Sequence, residues 1–179
     1  MRYSDYCVET DEKNWGRMSV GQKLKFKLRQ MFMNRYEKRI SGTLARTGLV
    51  DGHLADIHTM IENASPYISP RLGGEAILTV GSALTEIASS VSGVIAIGPF
   101  GCMPNRVSEA ILSEVMTRRD KLHIPCRENY LEPVLSELDA LPFLAVESDG
   151  SPFPQLIEAK LEAFCLRARR LHQRMRAIN

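Results

Sequence analysis

The apolar residues of this 179-residue chain follow two patterns, one helical and one extended. In the first long segment they recur every three to four residues, which is typical of an amphipathic helix. Ser19 and Gln22 form a capping-box pattern at its start, and we expect the helix to end near Ser41-Gly42. The apolar positions of this helix are Val20, Leu24, Leu28, Met31 or Phe32, Tyr36 and Ile40.

The same spacing predicts further helices along the chain. A loop rich in proline and glycine over 65–74 separates the second helix from the third. The final helix carries a long apolar stripe that includes Cys165, which we expect to be a small residue of the core. The expected helices cover 52–64, 76–91, a segment that begins at Pro104, 131–138 and a long final segment after Pro152.

Two short apolar runs lack the helical spacing and contain β-branched residues. Val94–Ile97 and Pro142–Glu147 are continuous, which is typical of strands buried on both faces of a parallel sheet. Leu122–Ile124 is a candidate for a third, shorter strand. Helices that alternate with such strands indicate an α/β fold, helix-rich and with a small parallel sheet. The expected organisation is a tail or linker over 1–17, a helical segment over 18–64 and an α/β domain over 65–179.

Charge is segregated along the chain, although the formal net charge is only +2. The segment 17–46 has nine basic residues and one acid, whereas 47–159 has six basic and fifteen acidic residues. The basic segment could bind nucleic acid or an anionic surface, or it could be the solvated face of a helix that packs on an acidic body or a partner. Aromatic residues are not interleaved with the bases as in single-strand binders, so we favour packing and expect no nucleic-acid partner.

Composition limits the class of protein. Hydrophobic residues at 44% and charged residues at 25% are ordinary globular values, which excludes wholesale disorder. Four cysteines are too few for a disulfide scaffold. No apolar run is long enough to span a bilayer, and the first residues lack the apolar core of a signal peptide. We therefore expect a cytoplasmic protein with reduced cysteines and no membrane partner.

The segment Gly98–Pro104 is the main candidate site, because it lies between a predicted strand and a predicted helix. Ligands of open α/β sheets bind at this edge, outside the carboxyl ends of the strands. Gly98 and Gly101 allow close backbone approach and positive φ, and the amides at the helix start can donate to an anion. In that position Cys102 gains thiolate character, which suits a metal ligand or a nucleophile. The alternative is a structural cysteine in a tight turn.

The loop after the second predicted strand should open at the same edge of the sheet. Its carboxylates, Glu147 and Asp149, could accept hydrogen bonds, bind a cation or position a substrate. The alternative, which we favour for Asp149, is that Asp149 or Ser151 caps the final helix.

The remaining cysteines form no recognisable metal motif. Cys126 follows a proline and its role is open, while Cys7 lies in the predicted tail. The sequence has no C-x-x-C pair, which excludes a zinc ribbon or a self-contained ferredoxin motif. Walker A, G-x-G-x-x-G and G-x-S-x-G motifs are also absent from the sequence.

Four segments of the chain form a set: Gly73–Gly81, Gly98–Pro104, Pro142–Gly150 and Lys160–Phe164. Together they resemble the C-terminal part of the acyl-CoA dehydratase activase-related proteins, which are relatives of the 2-hydroxyacyl-CoA dehydratase and CoA-substrate-specific enzyme activase family. The Pro-Phe-Gly-Cys-Met-Pro loop is the specific element. The resemblance covers about residues 47–176.

This resemblance implies a flavodoxin-like, or Rossmann-like, domain of an iron–sulfur electron-transfer protein that serves ATP-dependent reduction of CoA thioesters. It implies Cys102 as a ligand of a [4Fe–4S] cluster, in a cofactor-binding loop with Gly98 and Gly101. The family's other ligands and its ATP site lie elsewhere, so the resemblance implies a fragment that is inactive alone and works with an upstream domain or a separate subunit. A homodimer is also possible. The alternative is a non-catalytic interaction or scaffold domain whose basic helix docks on such a partner.

Overall fold

The computed structural model describes residues 18–48, 56–72, 74–125, 129–151 and 155–178. The chain divides into two compact units between Ile57 and His58. We call the second one, His58–Asn179, the α/β unit, because it contains a two-stranded parallel sheet among several helices. Within the described ranges, no helix is long and apolar enough to cross a membrane.

The secondary structure elements confirm the predicted alternation of helices with two strands. In chain order they are α1 (Val20–Ala45), α2 (Ile57–Ala64), α3 (Ala76–Glu86), β1 (Val94–Pro99), α4 (Met103–Val115), α5 (Arg118–His123), α6 (Leu131–Val134), β2 (Phe143–Ser148) and α7 (Gln155–Ile178).

Helix α1 begins where the sequence predicts. The Ser19 hydroxyl accepts a hydrogen bond from the Gln22 N–H at 3.3 Å, and the Gln22 side chain accepts one from the Ser19 N–H at 2.8 Å. The predicted end was wrong, because the helix continues past Gly42 to Ala45. A glycine inside a helix costs about 1 kcal/mol relative to alanine, which a long helix tolerates. The helix stops before Gly48, which adopts a left-handed φ of 70°.

The apolar row of α1 is exposed. Each step of four residues advances about 40° beyond a full helical turn, so a row at this spacing winds around the helix. Phe26 and Ser41, which lie outside the row, are buried. The exposed apolar residues of α1 are Val20, Leu24, Leu28, Met31, Phe32, Tyr36, Ile40 and Leu44.

The sheet of the α/β unit is formed by β1 and β2 in parallel. Val94 lies opposite Phe143, and the register runs through to Pro99 opposite Ser148. Helix α4 packs on both strands and also on α3, while α7 packs on β2. The chain leaves β1 at the carboxyl edge of the sheet and enters α4 from there. The turn between β1 and α4 therefore lies at this edge, as predicted.

Two predicted elements take a different form in the structure. The third helix was expected to reach Val91, but α3 ends at Glu86 because Ala88 adopts a positive φ of 64°. The short strand expected over 122–124 was wrong, because most of this segment belongs to α5. The Thr117 hydroxyl caps this helix by accepting a hydrogen bond from the Asp120 N–H at 3.1 Å.

The last two helices also depart from the prediction. The helix expected over 131–138 is only the single turn α6, and the chain turns away at Glu137, whose φ is 63°. Cys165 was expected in the core, but it is exposed on α7. Each residue turns a helix by about 100°, so Cys165 lies off the face that buries Leu171 and half-buries Phe164.

Lys121 joins α5 to the C-terminus of α3. Its side chain is fully buried, and its ammonium group donates to the carbonyl oxygens of Leu84 at 2.5 Å and Thr85 at 3.0 Å. The last carbonyls of a helix have no partner within the helix, so a buried cation stabilises them. The core of the α/β unit includes residues that are almost fully buried, such as Leu84, Ile87, Leu112, Leu131, Leu135, Leu141 and Leu171.

Candidate functional site

The turn between β1 and α4 has a defined hydrogen-bonded form. The Cys102 N–H donates to the Pro99 carbonyl at 3.1 Å, and Gly101 lies between them with a φ of 74°. A positive φ at the third residue of a four-residue turn is typical of a type II turn and favours glycine. The Phe100 N–H donates to the Ser148 carbonyl at 3.0 Å, so the turn is also tied to the end of β2.

Cys102 is the N-cap residue of α4. Its carbonyl accepts the first helical hydrogen bond, from the Arg106 N–H at 3.0 Å, while its side chain makes no capping hydrogen bond. The thiol is free and the residue is half-buried. Its neighbours Phe100 and Met103 are 78% and 74% exposed. The thiol is therefore uncommitted, in a loop whose adjacent side chains form an apolar rim.

Gly98 lies under the side chain of Asn105. A Cβ atom at Gly98 would lie 2.3 Å from the Asn105 Cγ, which is closer than real contacts allow. The close approach that the sequence predicts at Gly98 is therefore made by an amide of the same chain. Sequence reasoning missed Asn105, and the only available signal was its place in the first turn of the helix after the glycine loop.

Glu147 lies opposite Gly98 in the sheet and pairs with α4. Its Oε2 is 3.2 Å from the Arg106 Nη1, which also donates to Glu109 at 2.8 Å. The Glu147 Oε1 and the Asn105 Nδ2 are buried and make no hydrogen bond within the described residues. The carboxyl edge thus combines an ion pair with two buried polar atoms that lack a partner in the part of the chain that the structure describes. Arg106, like Asn105, was not singled out from the sequence.

Asp149 is engaged in its own loop. Its Oδ1 accepts a hydrogen bond from the Ser151 N–H at 2.9 Å, and Gly150 between them has a φ of 91°. The backbone hydrogen bond from Ser151, followed by the Ser151 side chain, lowers the pKa of the exposed Asp149 carboxyl. Residues 152–154 lie outside the described part of the chain. This hydrogen bond lies within the turn that follows β2, and the capping of the final helix by Asp149 or Ser151 stays a prediction.

The remaining cysteines do not join Cys102 among the described residues. Cys165 is exposed on α7, and the predictions for Cys7 and Cys126 fall outside the described ranges. In the part of the chain that the structure describes, no three or more His, Cys, Asp or Glu side chains are grouped so as to hold a metal ion.

Comparison of the chain with family models, with curated proteins and with solved structures finds no match.

Proposed function

We propose that the chain is an iron–sulfur electron-transfer module of the 2-hydroxyacyl-CoA dehydratase and activase type, with a flavodoxin-like α/β domain that acts in the cytoplasm. In this proposal Cys102 supplies one thiolate to a [4Fe–4S] cluster, which provides low-potential electrons when bound. The supporting observation is the free, half-buried Cys102 thiol at a helix N-cap, in a glycine turn at the carboxyl edge of a parallel sheet.

The described residues fit one ligand of such a cluster and not a complete set. Cysteine thiolates hold these clusters, usually four of them. Within the described ranges, no group of three or more His, Cys, Asp or Glu side chains is placed to hold a metal ion. The proposal therefore requires that an upstream domain or a separate subunit supply the other ligands, or that Cys7 or Cys126 contribute.

The turn offers backbone donors to a bound sulfur atom. The first N–H groups of a helix have no partner within the helix, and here they belong to Met103 and Asn105, since Pro104 has none. Hydrogen bonds to cluster and ligand sulfurs tune the reduction potential. The exposed Phe100 and Met103 would pack on the domain that completes the site and exclude water from it.

Metal loading with a cysteine control tests the proposal. The full chain is co-expressed with the product of the reading frame next to its own and is incubated anaerobically with ferrous iron and sulfide. We expect a brown complex that contains iron and sulfide, loss of both in Cys102→Ser, and full retention in Cys165→Ser. A colourless complex without iron, or equal iron in Cys102→Ser, would contradict it.

A non-catalytic interaction domain is the second candidate, and the exposed row of α1 favours it. Eight large apolar side chains are exposed along one basic helix, which favours a contact with another protein. Phe32→Asp should abolish co-purification with the adjacent gene product under conditions without iron, whereas Lys38→Gln should not. Co-purification that survives Phe32→Asp, combined with loss of bound iron in Cys102→Ser, would leave the electron-transfer proposal alone.

A further inference from the structure

The outer edge of β1 carries backbone groups that point away from β2. The N–H groups of Val94 and Phe100 donate to carbonyls at the two ends of β2, each at 3.0 Å. Alternate residues of a strand direct their backbone groups to opposite sides, so those of Ile95 and Ile97 lie on the other edge. Among the described residues, the sheet consists of β1 and β2 alone.

The chain segment that forms this edge is rich in apolar residues and carries no charge. Ile95 and Ile97 are 41% and 63% exposed, although Leu144 and Val146, opposite them in the sheet, are buried. Residues 87–105 contain no charged side chain. Parallel strands are normally covered on both faces, and an open, uncharged edge invites pairing with another strand. This surface is therefore suited to a contact with protein.

We propose that this edge pairs with the same edge of a second copy of the chain, antiparallel around a two-fold axis at Ala96. Residues near a two-fold axis meet their own copies, so a charged residue there would face a like charge. The segment 87–105 carries no charge, so two copies of it can meet without repulsion. Two copies of helix α1 would repel each other, because each has seven basic residues and one acid.

In this register the outward backbone groups of Ile95 and Ile97 form hydrogen bonds with the second copy. Ile95 of one copy lies opposite Ile97 of the other, and each such pair exchanges two backbone hydrogen bonds. The four isoleucine side chains pack across the strands on the same face of the joined sheet. Pairing ends toward the carboxyl side at Pro99, which has no N–H to donate. The result is a four-stranded sheet in the order β2-β1-β1-β2.

Sedimentation of the full chain, in the absence of iron, tests the pairing. We expect a concentration-dependent equilibrium between monomer and dimer. Ile97→Lys places a cation on the edge and should raise the dimer dissociation constant on the order of tenfold or more. Ile97→Pro removes a single outward N–H and leaves the hydrogen bonds to β2 intact, so it should weaken the dimer as well. Leu166→Lys, at an exposed position on α7, is the matched control and should change nothing.

Disulfide cross-linking between two copies determines the register of the pairing. In the double variant Ile95→Cys/Ile97→Cys, mild oxidation should link residue 95 of one copy to residue 97 of the other, as a peptide map can identify. Circular dichroism of each variant establishes that it is folded. A chain that stays monomeric at every concentration, or a dimer that is unchanged in the folded Ile97→Lys and Ile97→Pro variants, would overturn the proposal. Neither result depends on a cluster, so the proposed function is tested separately.

Discussion

Helix α1 and the α/β unit use their apolar residues in opposite ways. In α1 the apolar row is exposed and the local hydrogen bonds of its capping box define the start. In the α/β unit a set of leucines such as Leu84 and Leu112 is buried, and even Lys121 is buried, because its ammonium group has carbonyl partners. Periodicity thus predicts a helix in both regions. Which face is buried depends on what packs against it.

The largest expected effect contrasts two lysines. Lys121→Ala removes the donor to two helix-end carbonyls and leaves a cavity, so it should lower the free energy of unfolding by about 4 kcal/mol. Lys25→Ala, at an exposed position of α1, should change it by less than about 0.5 kcal/mol. Urea denaturation followed by circular dichroism measures both. Equal losses of unfolding free energy in the two variants would contradict the difference in burial between α1 and the α/β unit.

A leucine pair tests the same distinction with apolar residues. Leu84 has no exposed surface, so Leu84→Ala should cost about 3 kcal/mol through lost burial and a residual cavity. Leu28 is exposed on α1, and Leu28→Ala should cost less than about 0.5 kcal/mol in the isolated chain. Thermal and urea unfolding give the comparison. A large cost at Leu28 would mean that its row is already covered in solution.

The contact at Gly98 predicts a smaller, coupled effect. Gly98→Ala places its new Cβ against the end of the Asn105 side chain, which must turn away, so the change should cost about 1 kcal/mol. Asn105→Ala removes the clashing atoms, so the same change at Gly98 should cost little in that background. A double-mutant cycle by urea unfolding measures the coupling. Additive costs would show that Asn105 is not what excludes a side chain at Gly98.

The smallest expected effect is the pH response of Asp149. Hydrogen bonds lower the pKa of Asp149 in the folded chain. The contribution of its carboxylate to folding stability is therefore complete above the ordinary aspartate pKa and is lost as the pH falls through the lowered pKa. Asp149→Asn should therefore reduce the acid sensitivity of the melting temperature. Glu132→Gln, at an exposed site of α6, serves as the control. An unchanged acid response in Asp149→Asn would rule out this contribution.

Much of the candidate site could be predicted from the sequence. The glycines, the proline and the alternation of strand and helix placed Cys102 at the start of α4, at the carboxyl edge of a parallel sheet. The partners of that loop could not be predicted. Asn105 lies against Gly98, and Glu147 lies opposite Gly98 in the sheet, only because β1, β2 and α4 come together in space.

The sequence by itself determined the local features of this protein. The capping box at Ser19 and the left-handed Gly101 follow from interactions among residues a few positions apart, and the two strands could be recognised from their continuous apolar runs. Tertiary structure alone decided that Cys165 is exposed and that Lys121 is buried. Burial depends on contacts between residues distant in the chain, and these are set by how the elements pack. Spacing along one helix cannot reveal them.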